Sequence, residues 1–333
     1  MEEQLNHPRL DLHAFSEKVQ SMRAEIGRYV VGQEEAVTHL LAAIIADGHV
    51  LIEGVPGIAK TLLAKVLSRL VDANFGRIQF TPDLMPSDVL GTNVFDLKTQ
   101  EFKFHRGPVF TQLLLVDEIN RAPAKTQAAL FEVMEERQAT VDGKTYPMDD
   151  LFCIIATQNP VEQEGTYKLP EAQLDRFLLK LNMTYPTQEQ EVEILRRHQT
   201  SERMDLSRLT PILTPTEVME MRRLTDRVVV DEAILRYIAA IIQQTRTSRS
   251  LYLSASPRAS VALLRLSKAL ALLNGRDFVT PDDVKRLAPS VLSHRIVLTA
   301  EAEMEGLTVT RAVDALLERA QVDMEMPPVP PVK

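Results

Sequence analysis

Cysteine occurs once in the 333 residues, at Cys153, so no internal disulfide can form. Its neighbours in the run FCIIAT are apolar, which predicts a buried and inert thiol. No apolar run approaches the roughly 20 residues that span a bilayer. The opening MEEQLNHPRL lacks the basic-then-apolar order of a secretory signal. Together these absences predict a cytoplasmic protein with no membrane span. Seven histidines are scattered without an H-E-x-x-H pair or Cys/His ligand spacing, which argues against a structural metal site. No G-x-S-x-G nucleophile elbow is present. Positive charge is in deficit, with Lys plus Arg at 38, Asp plus Glu at 46, and a net charge of −8. That is no footprint for general nucleic-acid binding, although a local basic pore could hide within it. Internal repeats and low-complexity tracts are missing, except for the terminal MPPVPPVK at 326–333, which reads as an extended, disordered tail.

What is present is the composition of a globular protein, 45% hydrophobic and 25% charged, in a length that suits about two domains. One stretch organises the rest. Val50-Leu51-Ile52 is apolar enough for a buried parallel strand. It runs into GVPGIAKT, residues Gly54, Val55, Pro56, Gly57, Ile58, Ala59, Lys60 and Thr61. From Lys60 the pattern turns helical, with Leu62, Leu63, Val66, Leu67 and Leu70. A strand, a tight Gly/Pro loop and a helix in that order make a phosphate cradle. Backbone N–H groups converge there, and the helix dipole adds positive potential. Lys60 would reach the β- and γ-phosphates of ATP, and the Thr61 hydroxyl would complete the shell of a Mg2+ ion. Ala59 departs from G-x-x-x-x-G-K-[ST], where a second glycine is usual. A methyl there is expected to be tolerated if the residue has helical φ and ψ, leaving Gly57 to supply the unusual angles.

Further strands are expected at Arg77–Phe80, Leu113–Val116, Phe152–Thr157 and Leu178–Leu181, with crossover helices between them. That alternation predicts an α/β fold with a parallel sheet covered on both faces. In such sheets ligands bind beyond the carboxyl ends of the strands. Leu12, Phe15, Val19, Met22 and Ile26 mark an amphipathic first helix. Two stretches break the alternation, Asn93–His105 around Lys98-Thr99-Gln100 and Ala139–Met148 around Asp142-Gly143. Both predict β-hairpins. After Pro186 the pattern is helical, with starts written as Thr214-Pro215-Thr216-Glu217, Ser256-Pro257 and Thr280-Pro281. Helices are expected near 187–199, 215–225, 231–246, 257–273, 281–287 and 310–321.

LLLVDE, residues 113–118, is a buried strand ending in two carboxylates. Asp117 can order magnesium, and Glu118 can polarise the water that attacks the γ-phosphate. Asn159, after the next strand, brings an amide close to the same point, where it could hold that water or touch the phosphate. As a lone Asn it would read as a turn former.

GVPGIAKT, LLLVDEINRAPAKTQAALFEVMEE, IATQNPVEQEGTYKLPEAQLDRF and SPRAS together resemble the AAA+ ATPases, and specifically their MoxR group, over about Tyr29 to Leu317. The two hairpins match insertions that this clade carries, and Ala59 is a substitution found in it. The resemblance implies an AAA+ P-loop core with β-hairpin insertions at 1–185, a smaller all-α lid at 186–322 and the Pro-rich tail at 323–333. It implies adenine-side contacts at Val31, Gly32 and Gln33, with Asn159 as sensor 1. Arg176, in LDRF, would be the arginine finger presented by a neighbouring subunit, and Arg258, in SPRAS, sensor 2 on the lid. A cation in the first turn of a helix is disfavoured by the dipole, so a phosphate partner explains Arg258 better than a plain surface charge.

The resemblance further implies a ring, commonly a hexamer, that remodels, matures or metallates protein clients, often with partners bearing a von Willebrand factor A domain. Composition and spacing alone reach a magnesium-dependent ATPase with a mobile lid. A nucleic-acid motor is the alternative from another class. It is supported only by Lys98, Lys103, Arg106 and Lys144 on or beside the hairpins and opposed by Asp96, Glu101 and Asp142. A non-hydrolysing switch is disfavoured by the intact Glu118, Asn159 and Arg176, while a magnesium-chelatase-like subunit is a near neighbour of the leading reading.

Overall fold

The apolar runs of the first half condense into one parallel sheet whose strands end on polar residues at their carboxyl ends. The computed structural model describes residues 12–159, 167–199 and 205–320. The tail at 323–333 and Glu164, Gly165 and Thr166 of the family block lie outside them. The chain divides into two compact units, Glu17–Arg222 and a second made of residues up to Ser16 with those from Arg223 onward.

In the first unit the elements run α1 (His13–Tyr29, shared with the second unit), α2 (Glu34–Ile45), β1 (Val50–Glu53), α3 (Lys60–Leu70), β2 (Phe75–Gln79), α4 (Pro86–Leu90), β3 (Gly91–Asp96), β4 (Glu101–Arg106) and β5 (Leu113–Asp117). They continue with α5 (Ala124–Glu136), β6 (Gln138–Val141), β7 (Lys144–Pro147), β8 (Cys153–Gln158), α6 (Glu171–Leu174), β9 (Leu179–Asn182), α7 (Gln188–Gln199) and α8 (Pro215–Asp226), the last reaching into the second unit. The sheet order is β2-β5-β8-β1-β9, and every pairing is parallel. β5 and β8 are covered on both faces, as their unbroken apolar runs require.

Register decides what the edge presents. Gln79 pairs with Asp117, and Glu53 pairs with both Gln158 and Asn182. The strands therefore end nearly level, with polar side chains at their carboxyl ends. Beneath them Leu51, Phe80, Leu114, Val116, Phe131, Phe152, Ile154 and Phe177 form the core. Each such side chain contributes about 1.5–3 kcal/mol by leaving water.

Both expected hairpins form. β3 and β4 pair antiparallel from Gly91↔Arg106 to Asp96↔Glu101. β6 and β7 turn on Asp142 and Gly143, at φ 50° and 76°, the paired left-handed geometry of a two-residue turn. The hairpins brace one another. Phe104 stacks on Tyr146 at 4.1 Å between ring centres, and Asn93 Nδ2 donates to Asp142 Oδ2 at 2.6 Å.

Residues 205–222, expected in the helical domain, are tied to the sheet unit. Ile212 N–H and Leu213 N–H donate to the Leu70 carbonyl, at 2.8 and 3.0 Å. Buried Arg222 donates to the Ile44 and Asp150 carbonyls and pairs with Asp47 at 2.7 Å. Such tertiary bonds leave no periodic trace in the sequence.

The second unit holds α9 (Glu232–Thr247), β10 (Leu251–Leu253), α10 (Pro257–Leu273), α11 (Pro281–Leu292), β11 (Val297–Leu298), α12 (Ala300–Met304) and α13 (Val309–Arg319). It is helical, with a two-stranded antiparallel ribbon, β10 on β11, that the sequence reading did not anticipate because both strands are very short. α11 runs past the expected end at 287 and contains Pro289. Val291 and Leu292 are fully buried, so packing of the last turn outweighs the N–H that proline lacks. α10 starts on Ser256, whose Oγ accepts from the Arg258 N–H, and α11 on a Thr280/Asp283 capping box, as their sequences foretell.

Candidate functional site

The loop between β1 and α3 is held close to the sheet by two small features. A Cβ on Gly54 would collide with Ile58 Cδ1 and with the Met183 carbonyl, so only glycine fits there. Gly57 has φ +87° with open space above it, which makes it the crest of the cradle. Ala59 differs from expectation. It sits at φ 66° and ψ 22°, in the left-handed region, as the residue before the first helical turn. A side chain there costs about 1–2 kcal/mol relative to a right-handed conformation. The methyl is accepted there at the expense of strain.

Lys60 opens α3 and turns its ammonium back onto the loop. Nζ donates to the Gly54 carbonyl and, at 3.5 Å, to the Gln158 carbonyl. Thr61 Oγ1 lies 3.5 Å from Asp117 Oδ1, so the first turn of α3 and the end of β5 bring two hard oxygen donors together. That donor set, a hydroxyl and a carboxylate beside a phosphate cradle, suits magnesium, which takes few protein ligands and keeps water and phosphate oxygens for the rest. Among the described residues, no cluster of three or more His, Cys, Asp or Glu side chains forms a protein-only metal site.

Asp117 is buried, and both its oxygens are engaged. Arg77 Nε donates to Oδ2 at 2.7 Å, and Thr157 Oγ1 donates to Oδ1 at 3.2 Å. The Thr157 hydroxyl also accepts from the Glu118 N–H at 3.0 Å, joining β8 to the residue after β5. Glu118 has left-handed φ and ψ of 56° and 52°. Such strain in a residue with a full side chain gathers at functional sites. Its Oε2 receives Gln79 Nε2 at 2.7 Å and faces Arg121 Nε at 3.2 Å.

Arg77, Gln79, Arg121 and Thr157 were not singled out from sequence. On edge strand β2, Arg77 and Gln79 alternate with buried Ile78 and Phe80, the pattern of any strand with one wet face. The available signal was their place in a strand paired directly with the one that ends in Asp117.

Asn159 is buried immediately after Gln158, whose carbonyl accepts from both the Gly54 N–H (3.3 Å) and Lys60. The loop, Asp117, Glu118 and the residue before Asn159 are thus joined by hydrogen bonds within one unit. Val31 and Gly32 precede α2. Gly32 has φ +74°, and a Cβ there would strike the Gln190 side chain. Buried Gln33 donates to the Thr184 carbonyl at 3.1 Å. Arg176 follows α6 and turns toward α5, where Nη1 donates to the Phe131 carbonyl at 2.7 Å and Nη2 pairs with Glu135 at 2.8 Å. Within the second unit, Arg258 is the second residue of α10 and its side chain is exposed.

A five-stranded parallel sheet with this loop and a following carboxylate pair defines a P-loop nucleotide-binding protein. Comparison with known proteins agrees with that class. Residues 49–179 match the ATPase family associated with various cellular activities (AAA), and residues 243–318 match the AAA lid domain. Bacillus subtilis (strain 168) YeaC is 44% identical over 95% of this chain and 97% of its own. The chaperone MoxR1 of Mycobacterium tuberculosis is 41% identical over 88% of this chain and 79% of its own. A crystal structure of a protein from Cytophaga hutchinsonii superposes with a TM-score of 0.86 at 40% identity. It covers 93% of this chain and 96% of that one. The chain belongs to the MoxR family of AAA+ ATPases.

Proposed function

We propose that the protein hydrolyses ATP with magnesium and couples the reaction to chaperone-like remodelling or maturation of protein clients. The observation that carries this reading is the meeting of Lys60, Thr61, Asp117 and Glu118 on one sheet edge. Lys60 and the loop amides bind and orient the phosphates, offsetting their charge. Thr61 and Asp117 would hold magnesium, whose positive charge would offset that of the phosphates. Glu118 accepts the proton of the attacking water on a carboxylate oxygen, while Gln79 and Arg121 fix the direction of that carboxylate. Asn159 orients the water or the γ-phosphate, Arg258 senses phosphate from the lid, and Arg176 serves the nucleotide of the next subunit.

That last role requires an assembly, for which a hexameric ring is the reading. The name of the relative MoxR1 supports a chaperone-like task. Metal insertion and partners with von Willebrand factor A domains belong to the same proposal. No helix among the described residues is long and apolar enough to cross a membrane.

The test is a pair of variants. Lys60→Ala abolishes tight ATP binding, because the phosphates lose their charge partner. Glu118→Gln keeps binding and loses hydrolysis, because an amide cannot take the proton. Wild-type affinity of Lys60→Ala in a calorimetric titration, or unchanged phosphate release by Glu118→Gln, would overturn the assignment.

A further inference from the structure

Arg176 is mounted on a rigid base. Phe177, the next residue, is fully buried and meets Phe131 edge to face at 5.9 Å. The guanidinium lies 6.0 Å from the centre of the same Phe131 ring. Its outer nitrogens are tied down separately, Nη1 to the Phe131 carbonyl at 2.7 Å and Nη2 to Glu135 Oε2 at 2.8 Å. Phe131 and Glu135 stand one helical turn apart on α5, so both contacts come from one face of one helix. Nε is buried with no hydrogen-bond partner among the described residues. A cavity of about 230 Å3, lined by Glu132, Glu135, Glu136, Gln173 and Arg176, opens beside the group.

We infer that Glu135 is the positioning residue of the arginine finger, an inference that rests on the reading of Arg176 above. A guanidinium is planar and has five N–H donors, two on each outer nitrogen. One bond on each outer nitrogen fixes the plane of the fork and leaves a second hydrogen on each for phosphate oxygens. Without the carboxylate, a single carbonyl bond remains, about which the fork can turn. A finger that turns loses the alignment on which its effect depends, since a displacement of about 1 Å can cost 10²-fold in rate. The exposure of Arg176 (29%) and Glu135 (37%) keeps this ion pair weak as a contributor to stability. Its service is orientation.

The experiment is a double-mutant cycle on the full chain at concentrations where it assembles, using Glu135→Ala, Arg176→Ala and the double variant. Glu135→Ala is expected to lower kcat by about 10- to 100-fold with KM for ATP and the unfolding midpoint unchanged. Glu135→Gln, which keeps an acceptor, recovers part of the loss. In the double variant, single-turnover hydrolysis equals that of Arg176→Ala, because Glu135 acts only through that side chain. Multiplying losses, or a fall in the unfolding midpoint that accounts for the loss, would overturn the inference in favour of a structural role. Higher turnover in Glu135→Ala would overturn it in favour of a latch that restrains the finger. Wild-type turnover in Glu135→Ala, with Arg176→Ala inactive, removes Glu135 while the finger stands. Wild-type turnover in Arg176→Ala removes the finger reading itself.

Discussion

Gln79, at the end of edge strand β2, donates its side-chain amide at 2.7 Å to Oε2 of Glu118, which follows the neighbouring strand β5. The bond joins an unremarked residue of an edge strand to the carboxylate proposed to take a proton. Removing the donor leaves Arg121 to orient that carboxylate alone. Gln79→Ala should lower kcat about tenfold, the equivalent of one hydrogen bond to a charged group at about 1.5 kcal/mol. Nucleotide affinity should not change, since Gln79 touches neither the loop nor Lys60 in any described bond. Steady-state kinetics with a titrated nucleotide analogue check both halves. Unchanged kcat would remove Gln79 from the mechanism.

Ala59 carries a left-handed backbone that glycine adopts without cost. Ala59→Gly relieves about 1–2 kcal/mol of native strain. It gives back about 0.4–1 kcal/mol through the looser unfolded chain. The balance is a gain of up to about 1.6 kcal/mol, seen as a higher urea midpoint with the slope unchanged. A lower midpoint would mean that the methyl makes compensating contacts and the strain is illusory.

How much could be read beforehand divides along a physical line. Features written in neighbouring residues were legible, namely the five strands of the sheet, the strand-loop-helix run at 50–70, the Asp142-Gly143 turn and the Ser256 and Thr280 caps. Features that depend on residues distant in sequence were not. Gln79 and Arg77 are ordinary wet-face residues until register sets them beside Asp117 and Glu118. The attachment of residues 205–222 rests on backbone bonds to Leu70 and on the bonds of Arg222. The β10–β11 ribbon is too short to show any alternation. For Ala59 the sequence sets only a condition, that helical φ and ψ would make a methyl tolerable, because it gives residue type and not the left-handed angle that the loop imposes.

Cys153 was expected to be buried and inert, and the structure supplies the cause. Burial pushes its thiol from 9.0 up to about 12, outweighing the opposite pull of Arg222 and Arg137, while the S–H donates to the Gly48 carbonyl at 3.2 Å. The raised value favours the protonated form in the folded state, so the thiolate needed for alkylation is about a thousandfold scarcer at pH 8. Native protein should resist iodoacetamide at pH 8, and urea should restore ordinary reactivity. Rapid labelling without denaturant, at a rate independent of urea, would contradict the burial.

In the proposed mechanism each nucleotide is hydrolysed by two subunits, one supplying Lys60 and Glu118 and the next supplying Arg176. Arg176→Ala should bind ATP nearly normally and hydrolyse it slowly, since such a finger is worth roughly 10³–10⁵ in rate. Lys60→Ala is inactive for the complementary reason and keeps its finger. Mixing the two inactive variants puts a competent loop beside a competent finger at some interfaces. The account predicts phosphate release above the sum of the separate variants, with the excess vanishing on dilution below the assembly concentration. Release equal to that sum at every concentration, with mixed assemblies confirmed by mass, would contradict it.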